Sequence, residues 1–243
     1  MGPAQQADGE EAVLKDISFT AKAGETLAII GSTGSGKSTL IQLIPRFYDV
    51  TGGRVLINGV DVRQMNSHEL REHIGFVAQK ANLFSGTIEE NIRFGREDAT
   101  DEEVRHAAEI AQAMDFIMDK PNGFQEKIVE GAGNLSGGQK QRLSITRALV
   151  RKPDIYIYDD SFSALDMKTD ALLRQALKSE VKNAVVIIVA QRVSTIMDAD
   201  QILVLDEGRL AAVGRHKELL KECPLYYEIA ASQLSEEELQ NVR

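Results

Sequence analysis

The residues best equipped for chemistry lie in one stretch, Gly31-Ser32-Thr33-Gly34-Ser35-Gly36-Lys37-Ser38-Thr39. Glycine, four residues, then Gly-Lys-Ser is the spacing of a phosphate-binding loop. Its glycines let the backbone curl so that successive N–H groups point at phosphate oxygens. A helix start behind the loop adds partial positive charge. In such a loop Lys37 reaches the β- and γ-phosphates and the Ser38 hydroxyl ligates Mg²⁺. Alone, the loop implies binding of a nucleoside triphosphate or a similar phosphate; the competing reading is an ordinary Gly/Ser turn.

Two further stretches have the right chemistry to join it. Ile155-Tyr156-Ile157-Tyr158-Asp159 is an apolar run ending in a carboxylate. As a buried strand it carries Asp159 to the sheet edge where open α/β sheets bind ligands, in reach of Mg²⁺. Leu135-Ser136-Gly137-Gly138-Gln139 precedes a helix expected to begin near Lys140 and to run through Leu143, Ile145 and Leu149. Ser136 is a good N-cap, and the glycines allow close approach of a ligand.

These residues need a scaffold. Leu27-Ala28-Ile29-Ile30, before the loop, reads as a buried strand, and Leu40 to Ile44, after it, as a helix ending near Pro45. Val13 to Phe19 alternates as a strand, Ala23-Gly24-Glu25 is a turn, and Arg54-Val55-Leu56-Ile57 is a strand followed by the turn Asn58-Gly59. Ile74 to Val77 is a short strand leading to Gln79. From about Lys80 to Val150 the spacing becomes helical, with apolar residues from Val104 to Ala111 continuing to Phe116 and Ile117. Strands return at Ile155–Tyr158, Val185–Val189 and Ile202–Leu205, with a hairpin turn at Asp206-Glu207-Gly208. The tail from His216 is helical and ends in the acidic run Ser235–Glu238, a solvated surface. Interleaved strands and helices predict an α/β core with parallel pairing.

The 243 residues, 43% of them hydrophobic, suffice for one large domain or two small lobes. A net charge of −9 argues against free nucleic acid as a partner. The single cysteine, Cys223, excludes an internal disulfide. The longest apolar run, Ala184 to Ala190, falls short of the roughly 18 residues that cross a bilayer.

The order of the phosphate loop, Gln79, Leu135–Gln139, Asp159-Asp160, Ser163-Ala164-Leu165-Asp166 and Gln191 resembles the nucleotide-binding domain of ATP-binding cassette (ABC) transporters, from about Val13 to the C-terminus. Phe84-Ser85-Gly86-Thr87-Ile88, Glu130 and Gln191–Ile196 resemble the exporter branch. The resemblance implies a P-loop NTPase core, a parallel sheet flanked by helices, with an antiparallel β portion and an inserted helical subdomain. It implies a disordered or appended leader over residues 1–11 and one cassette over 12–243, with the helical subdomain at about 80–150 and C-terminal helices at about 216–243.

It also implies roles. Two cassettes pack head to tail around two ATP molecules, each held by the phosphate loop of one and the Leu-Ser-Gly-Gly-Gln stretch of the other. Mg²⁺ is held by Ser38, Gln79 and Asp159; Gln79 also senses the membrane domains; Asp166 touches the opposite subunit; Glu130 serves coupling. Transmembrane domains normally precede the cassette in one chain, which places it on the cytoplasmic face of a membrane, here a bacterial one.

Departures from the family pattern stand out. The carboxylate after the Mg²⁺ aspartate is Asp160 rather than glutamate, shorter by one methylene, roughly 1.5 Å. The switch histidine is replaced by Gln191, whose amide donates but cannot become cationic. Ser161-Phe162 stands where Pro-Thr is common. The pattern resembles the degenerate half of heterodimeric bacterial multidrug exporters, with Asp160, Gln191 and Gln79 at an impaired catalytic end and an intact signature. The aromatic that stacks on adenine is also absent upstream of Val13. Other readings are a homodimeric exporter cassette with a slow site, a non-transport ABC ATPase acting on DNA or ribosomes, and a nucleotide-sensing module without turnover.

Overall fold

The computed structural model describes residues 13–240. The expected leader over 1–11, the position upstream of Val13 where an adenine-stacking ring is expected, and residues 241–243 lie outside them. The strands are β1 (Thr26–Gly31), β2 (Leu56–Ile57), β3 (Val60–Asp61), β4 (Ile74–Val77), β5 (Gly86–Thr87), β6 (Lys127–Ile128), β7 (Ile155–Asp159), β8 (Val185–Val189), β9 (Gln201–Asp206) and β10 (Arg209–Gly214). The helices are α1 (Lys37–Gln42), α2 (Ser67–Glu72), α3 (Ile88–Arg93), α4 (Asp101–Ile110), α5 (Met114–Met118), α6 (Gly137–Arg151), α7 (Met167–Glu180), α8 (Val193–Ile196), α9 (His216–Glu222), α10 (Pro224–Ala231) and α11 (Glu236–Gln240). None of these helices is long and apolar enough to cross a membrane.

Six strands form the main sheet in the order β10-β9-β1-β8-β7-β4. All are parallel except β10, which turns back on β9 through Glu207 and Gly208, both at positive φ. Strands covered on both faces are apolar without alternation, which is why they read as continuous runs. Leu27, Ile29, Ile157, Ile187 and Leu203 pack on one face with Leu40 and Ile41 of α1. Ala28, Ile30, Tyr158, Ile188 and Val204 join the opposite cluster with Leu143 of α6 and Leu173 of α7. This is the α/β cassette fold that the motifs imply.

The topology decides where the chemistry goes. Because β1, β8, β7 and β4 are adjacent and parallel, their C-terminal ends share one edge. The phosphate loop follows β1, Gln191 follows β8, Asp160 follows β7 and Gln79 follows β4.

Several local expectations need correction. Val13–Phe19 is not a strand: Asp16 turns left-handed at φ 55°, and the segment packs Leu14, Ile17 and Phe19 against the core as an extended arm. The strand expected from Arg54 begins only at Leu56 and makes a hairpin with β3 across Asn58 (φ 50°) and Gly59 (φ 81°), the positive-φ pair of a tight two-residue turn. The helical period from Val104 does not continue unbroken to Ile117. Gln112, at φ 56°, ends α4 with a Schellman arrangement, its N–H bonded to Glu109 O at 3.0 Å and the Ala113 N–H to Ala108 O at 2.8 Å. Glycine usually takes that position, so the sequence carries no stop signal. Finally, α6 begins at Gly137, three residues before Lys140, because Ser136 and Gln139 form a capping box.

Glu103 ties the start of α4 to the end of α6. It accepts from the Thr100 N–H at 3.0 Å, from Lys152 Nζ at 2.7 Å and from Arg96. The Arg96 and Lys152 contacts hold its carboxyl at about 2, below the ordinary 4.5. A depressed folded-state value contributes stability above pH 4.5 that is lost as pH falls through about 2. Glu103→Gln is therefore expected to lower the melting temperature at neutral pH and leave it nearly unchanged near pH 2, which flattens the acid limb of a pH–melting curve. An identical pH slope in the variant would contradict this.

Candidate functional site

The phosphate loop leaves β1 where the backbone is crowded. A Cβ at Gly31 would stand 2.2 Å from the Leu205 carbonyl oxygen, so only glycine fits. Gly34 and Gly36 sit at φ +81° and +97°. The Lys37 ammonium folds over the loop, donating to the carbonyls of Gly31 (2.8 Å) and Ser32 (2.7 Å). Ser35 is buried beneath it; Ser32, Thr33 and Ser38 are exposed, and Thr39 is half-buried. The N–H groups of the first turn of α1 have no intrahelical acceptor and remain for a ligand.

Across the sheet edge, Ser38 Oγ donates to Asp159 Oδ1 at 3.0 Å. Asp159 and Asp160 are each only 7% exposed, so burial raises both carboxyls above their ordinary value, against the Ser38 bond for Asp159 and the Gln79 bond for Asp160. Burial lowers the Lys37 ammonium, while Asp160 and then Asp159 pull it back up. Two buried carboxylates near one lysine leave an excess of negative charge. With the hydroxyl of Ser38 and the amide oxygen of Gln79, Asp159 offers an all-oxygen donor set suited to a hard divalent cation. The residues fit a magnesium nucleotide.

The three residues expected at the catalytic end do meet. Gln79 Nε2 donates to Asp160 Oδ2 at 3.1 Å, and Gln191 Nε2 donates to the same oxygen at 2.9 Å. Asp160 itself stands at φ 48°, and its N–H bonds Val189 O at 2.9 Å.

The remaining candidates lie elsewhere. Ser136 is exposed at the N-terminus of α6: its N–H donates to Gln139 Oε1 at 3.0 Å, and its Oγ accepts from Gln139 N at 3.2 Å. Leu135 is buried, Gly137 is open, and Gly138 lies close enough to Ala164 that a Cβ would sit 3.2 Å from its carbonyl oxygen. Asp166 caps α7, accepting from the Thr169 N–H (2.9 Å) and hydroxyl (2.7 Å). Glu130 is exposed in a short turn. Among the described residues, no hydrogen bond or ion pair joins Ser136, Asp166 or Glu130 to Asp160.

Sequence reasoning missed the groups that hold this edge in place. The Gln141 amide, buried on α6, donates to Ala78 O at 3.1 Å, and Ser161 Oγ donates to Val77 O at 2.8 Å. Arg192 donates to Ser163 O (3.1 Å) and Leu165 O (3.2 Å). The one available signal was a glutamine on an otherwise apolar helix face, since buried amides find partners. Phe162, in place of the common threonine, is buried against Tyr158 with ring centroids 5.2 Å apart.

Beside Gly34 opens a cleft of about 650 Å³, lined by Val13, Lys15, Gly34 and the hairpin residues Asp206 to Ala211, with no aromatic ring among them.

Comparison with known proteins identifies the family and the fold. The ABC transporter family model matches residues 14–163. An uncharacterised ABC transporter ATP-binding protein of Mycobacterium tuberculosis is 48% identical over 224 residues, 91% of this chain and 38% of that protein. A Staphylococcus aureus protein named for multidrug export, an ATP-binding/permease protein, is 47% identical over 222 residues, again 91% of this chain and 38% of its own length. The chain thus spans well under half of the relatives it matches. A solved bacterial Atm1-family ABC exporter with ATP bound superposes with a TM-score of 0.91 at 42% identity, over 95% of this chain and 41% of that one. The chain belongs to the ABC transporter family and has the fold and the phosphate loop of its ATP-binding domain.

Proposed function

We propose that this cassette binds ATP with Mg²⁺ and pairs head to tail with a second, different cassette to drive an exporter. Its own site hydrolyses slowly, and its Leu135–Gln139 stretch completes the partner's site. Residues 12–243 form that cassette, with a helical subdomain over about 80–150 and C-terminal helices from about 216. It works at the cytoplasmic face of a bacterial membrane, joined to transmembrane domains, with Glu130 on the coupling side and Asp166 toward the partner. The Staphylococcus aureus relative's name favours drug-like cargo, and the charge of −9 disfavours nucleic acid.

One observation carries the slow-site reading: both side-chain amides, Gln79 and Gln191, donate to the same Asp160 oxygen. A carboxylate oxygen has two lone pairs. Oδ2 is therefore filled, and the carboxylate that would take a proton from water is held back by one methylene and pinned by two neutral amides. Neither amide can become cationic as an imidazole would. Lys37 and the loop N–H groups bind and orient the phosphates; Ser38, Asp159 and Gln79 hold Mg²⁺. When bound, the cation supplies positive charge against the phosphate oxygens. The groups proposed to hold the phosphates and the cation keep their ordinary residue types, and the altered groups are those that handle water.

A second reading, a slow but competent site in a homodimer, has one observation in its favour: burial raises the Asp160 carboxyl and makes it a stronger base.

Binding is tested by calorimetric titration of Mg-ATP. Lys37→Ala is expected to weaken affinity by roughly 1.5–3 kcal/mol, about ten- to a hundredfold, by removing a charge-assisted phosphate contact. Unchanged affinity in a folded variant would contradict the phosphate-loop assignment. With no ring among the described residues that line the cleft beside Gly34, ATP and GTP are expected to bind with similar, modest affinity in the same titration. A strong ATP preference would show that another group reads the base.

A further inference from the structure

We propose that Gln233, in the C-terminal tail, is a positioning residue for the nucleotide site: its side-chain amide fixes the backbone that aims Gln191 at Asp160. The proposal rests on reading Asp160 and Gln191 as the water-handling end of that site.

Gln233 uses both ends of its amide on one short segment. Its Nε2 donates to the Gln191 carbonyl at 2.8 Å, and its Oε1 accepts from the Val193 N–H at 2.8 Å. The two bonds bracket Arg192 as a neighbouring strand would. They also solve a local problem. The N-cap residue of α8 is Arg192, which makes no side-chain cap, so the first helical N–H would lack a partner. A residue forty positions downstream supplies it.

The bracketed segment is wired to the site on its other sides. The Gln191 side chain donates to Asp160 Oδ2. Arg192 holds the carbonyls of Ser163 and Leu165, and Ser163 Oγ in turn donates to the Asp160 carbonyl at 2.7 Å. Thr195 Oγ1 donates to Asp170 Oδ2 at 3.0 Å, which anchors α8 to α7. The tail end of the clamp is firm as well. Gln233 N bonds Ala230 O at 3.0 Å at the end of α10, and α10 is held by fully buried Tyr226 and Ala230. The Tyr226 hydroxyl meets Nδ1 of buried His216 at 2.7 Å. A movement of Gln233 at the end of α10 therefore reaches Asp160 through two hydrogen bonds and two side chains, its own and that of Gln191.

The test is a double-mutant cycle on the full chain, read by Mg-ATP affinity, single-turnover rate and amide exchange. Gln233→Ala is expected to leave the Mg-ATP Kd within about twofold, since Lys37, Ser38 and Asp159 are untouched, and to speed single turnover by about three- to tenfold, because the Gln191 amide is no longer held on Asp160 Oδ2. Exchange at the Val193 amide should accelerate at least about tenfold as its bond is lost. In a Gln191→Ala background the same change should alter the rate by less than about 1.5-fold, because the group it positions is gone. Gln233→Glu keeps the acceptor for Val193 and loses the donor to Gln191, so it should fall between. An unaltered or slowed rate in Gln233→Ala, or an undiminished change in the Gln191→Ala background, overturns the proposal while leaving the site intact. No effect of Gln191→Ala itself overturns the proposal together with the site reading beneath it.

Discussion

Asp160→Glu combined with Gln191→His is expected to raise ATP hydrolysis at this cassette's own site by roughly ten- to a hundredfold, more than either change alone. The motive is the convergence of two neutral amides on Asp160 Oδ2 beside Lys37, Ser38 and Asp159, the groups proposed to hold the phosphates and the cation. A positioned general base supplies roughly 10²–10⁴ in rate, and the added methylene moves the carboxylate toward water. The histidine removes one amide donor from Oδ2 and restores a group that can carry charge. Both groups act on one transition state, so their effects are not additive. Recovery stays below the full factor because Asp160 stands at φ 48°, a conformation that aspartate tolerates better than glutamate. The measurement is single-turnover hydrolysis by the two single variants and the double. A double variant no faster than the unaltered chain would mean that Asp160 and Gln191 do not limit the rate.

Ser136→Arg carries the second large effect, on a different site. Ser136 is exposed at the start of α6, and Gly137 beside it is open. Nothing in its own cassette uses that surface for chemistry: among the described residues, the Ser136 side chain bonds only Gln139. In the proposed head-to-tail pair its place would be against the γ-phosphate held by the partner, where a guanidinium and its stem would not fit. Turnover of the assembled pair should fall at least about a hundredfold, as when a charge-stabilising donor is removed. Loss of the N-cap costs only about 1 kcal/mol, so the isolated chain should still fold and bind ATP. Full activity of the pair would rule out the composite site.

What the sequence made legible follows from local physics. The strands β1, β7, β8 and β9 stood out because burial on both faces leaves only apolar residues, and each ends near its expected position. The phosphate loop and the Ser136 cap were visible because glycine and hydroxyl requirements are local. What stayed hidden depends on partners distant in the chain. Gln112 takes a position that glycine usually fills, so the end of α4 had no mark. The arm from Val13 alternates like a strand yet makes no ladder, because Asp16 turns it aside. That Gln79 and Gln191 share one oxygen of Asp160 requires the register of β4, β7 and β8, which no motif encodes. Gln141, Arg192 and Gln233 act through backbone carbonyls and N–H groups far along the chain, a kind of contact with no residue-type signature.

The most direct measurement is single-turnover ATP hydrolysis in the assembled transporter, with the partner cassette's catalytic carboxylate disabled by substitution. Any hydrolysis then comes from the site built on Lys37, Asp159 and Asp160. The expected result is Mg-ATP that stays bound and intact far longer than one cycle of an ordinary enzyme, whose turnover lies at about 10 s⁻¹. Hydrolysis of that ATP at such an ordinary rate would show that Asp160 is a competent base and that the site is not impaired.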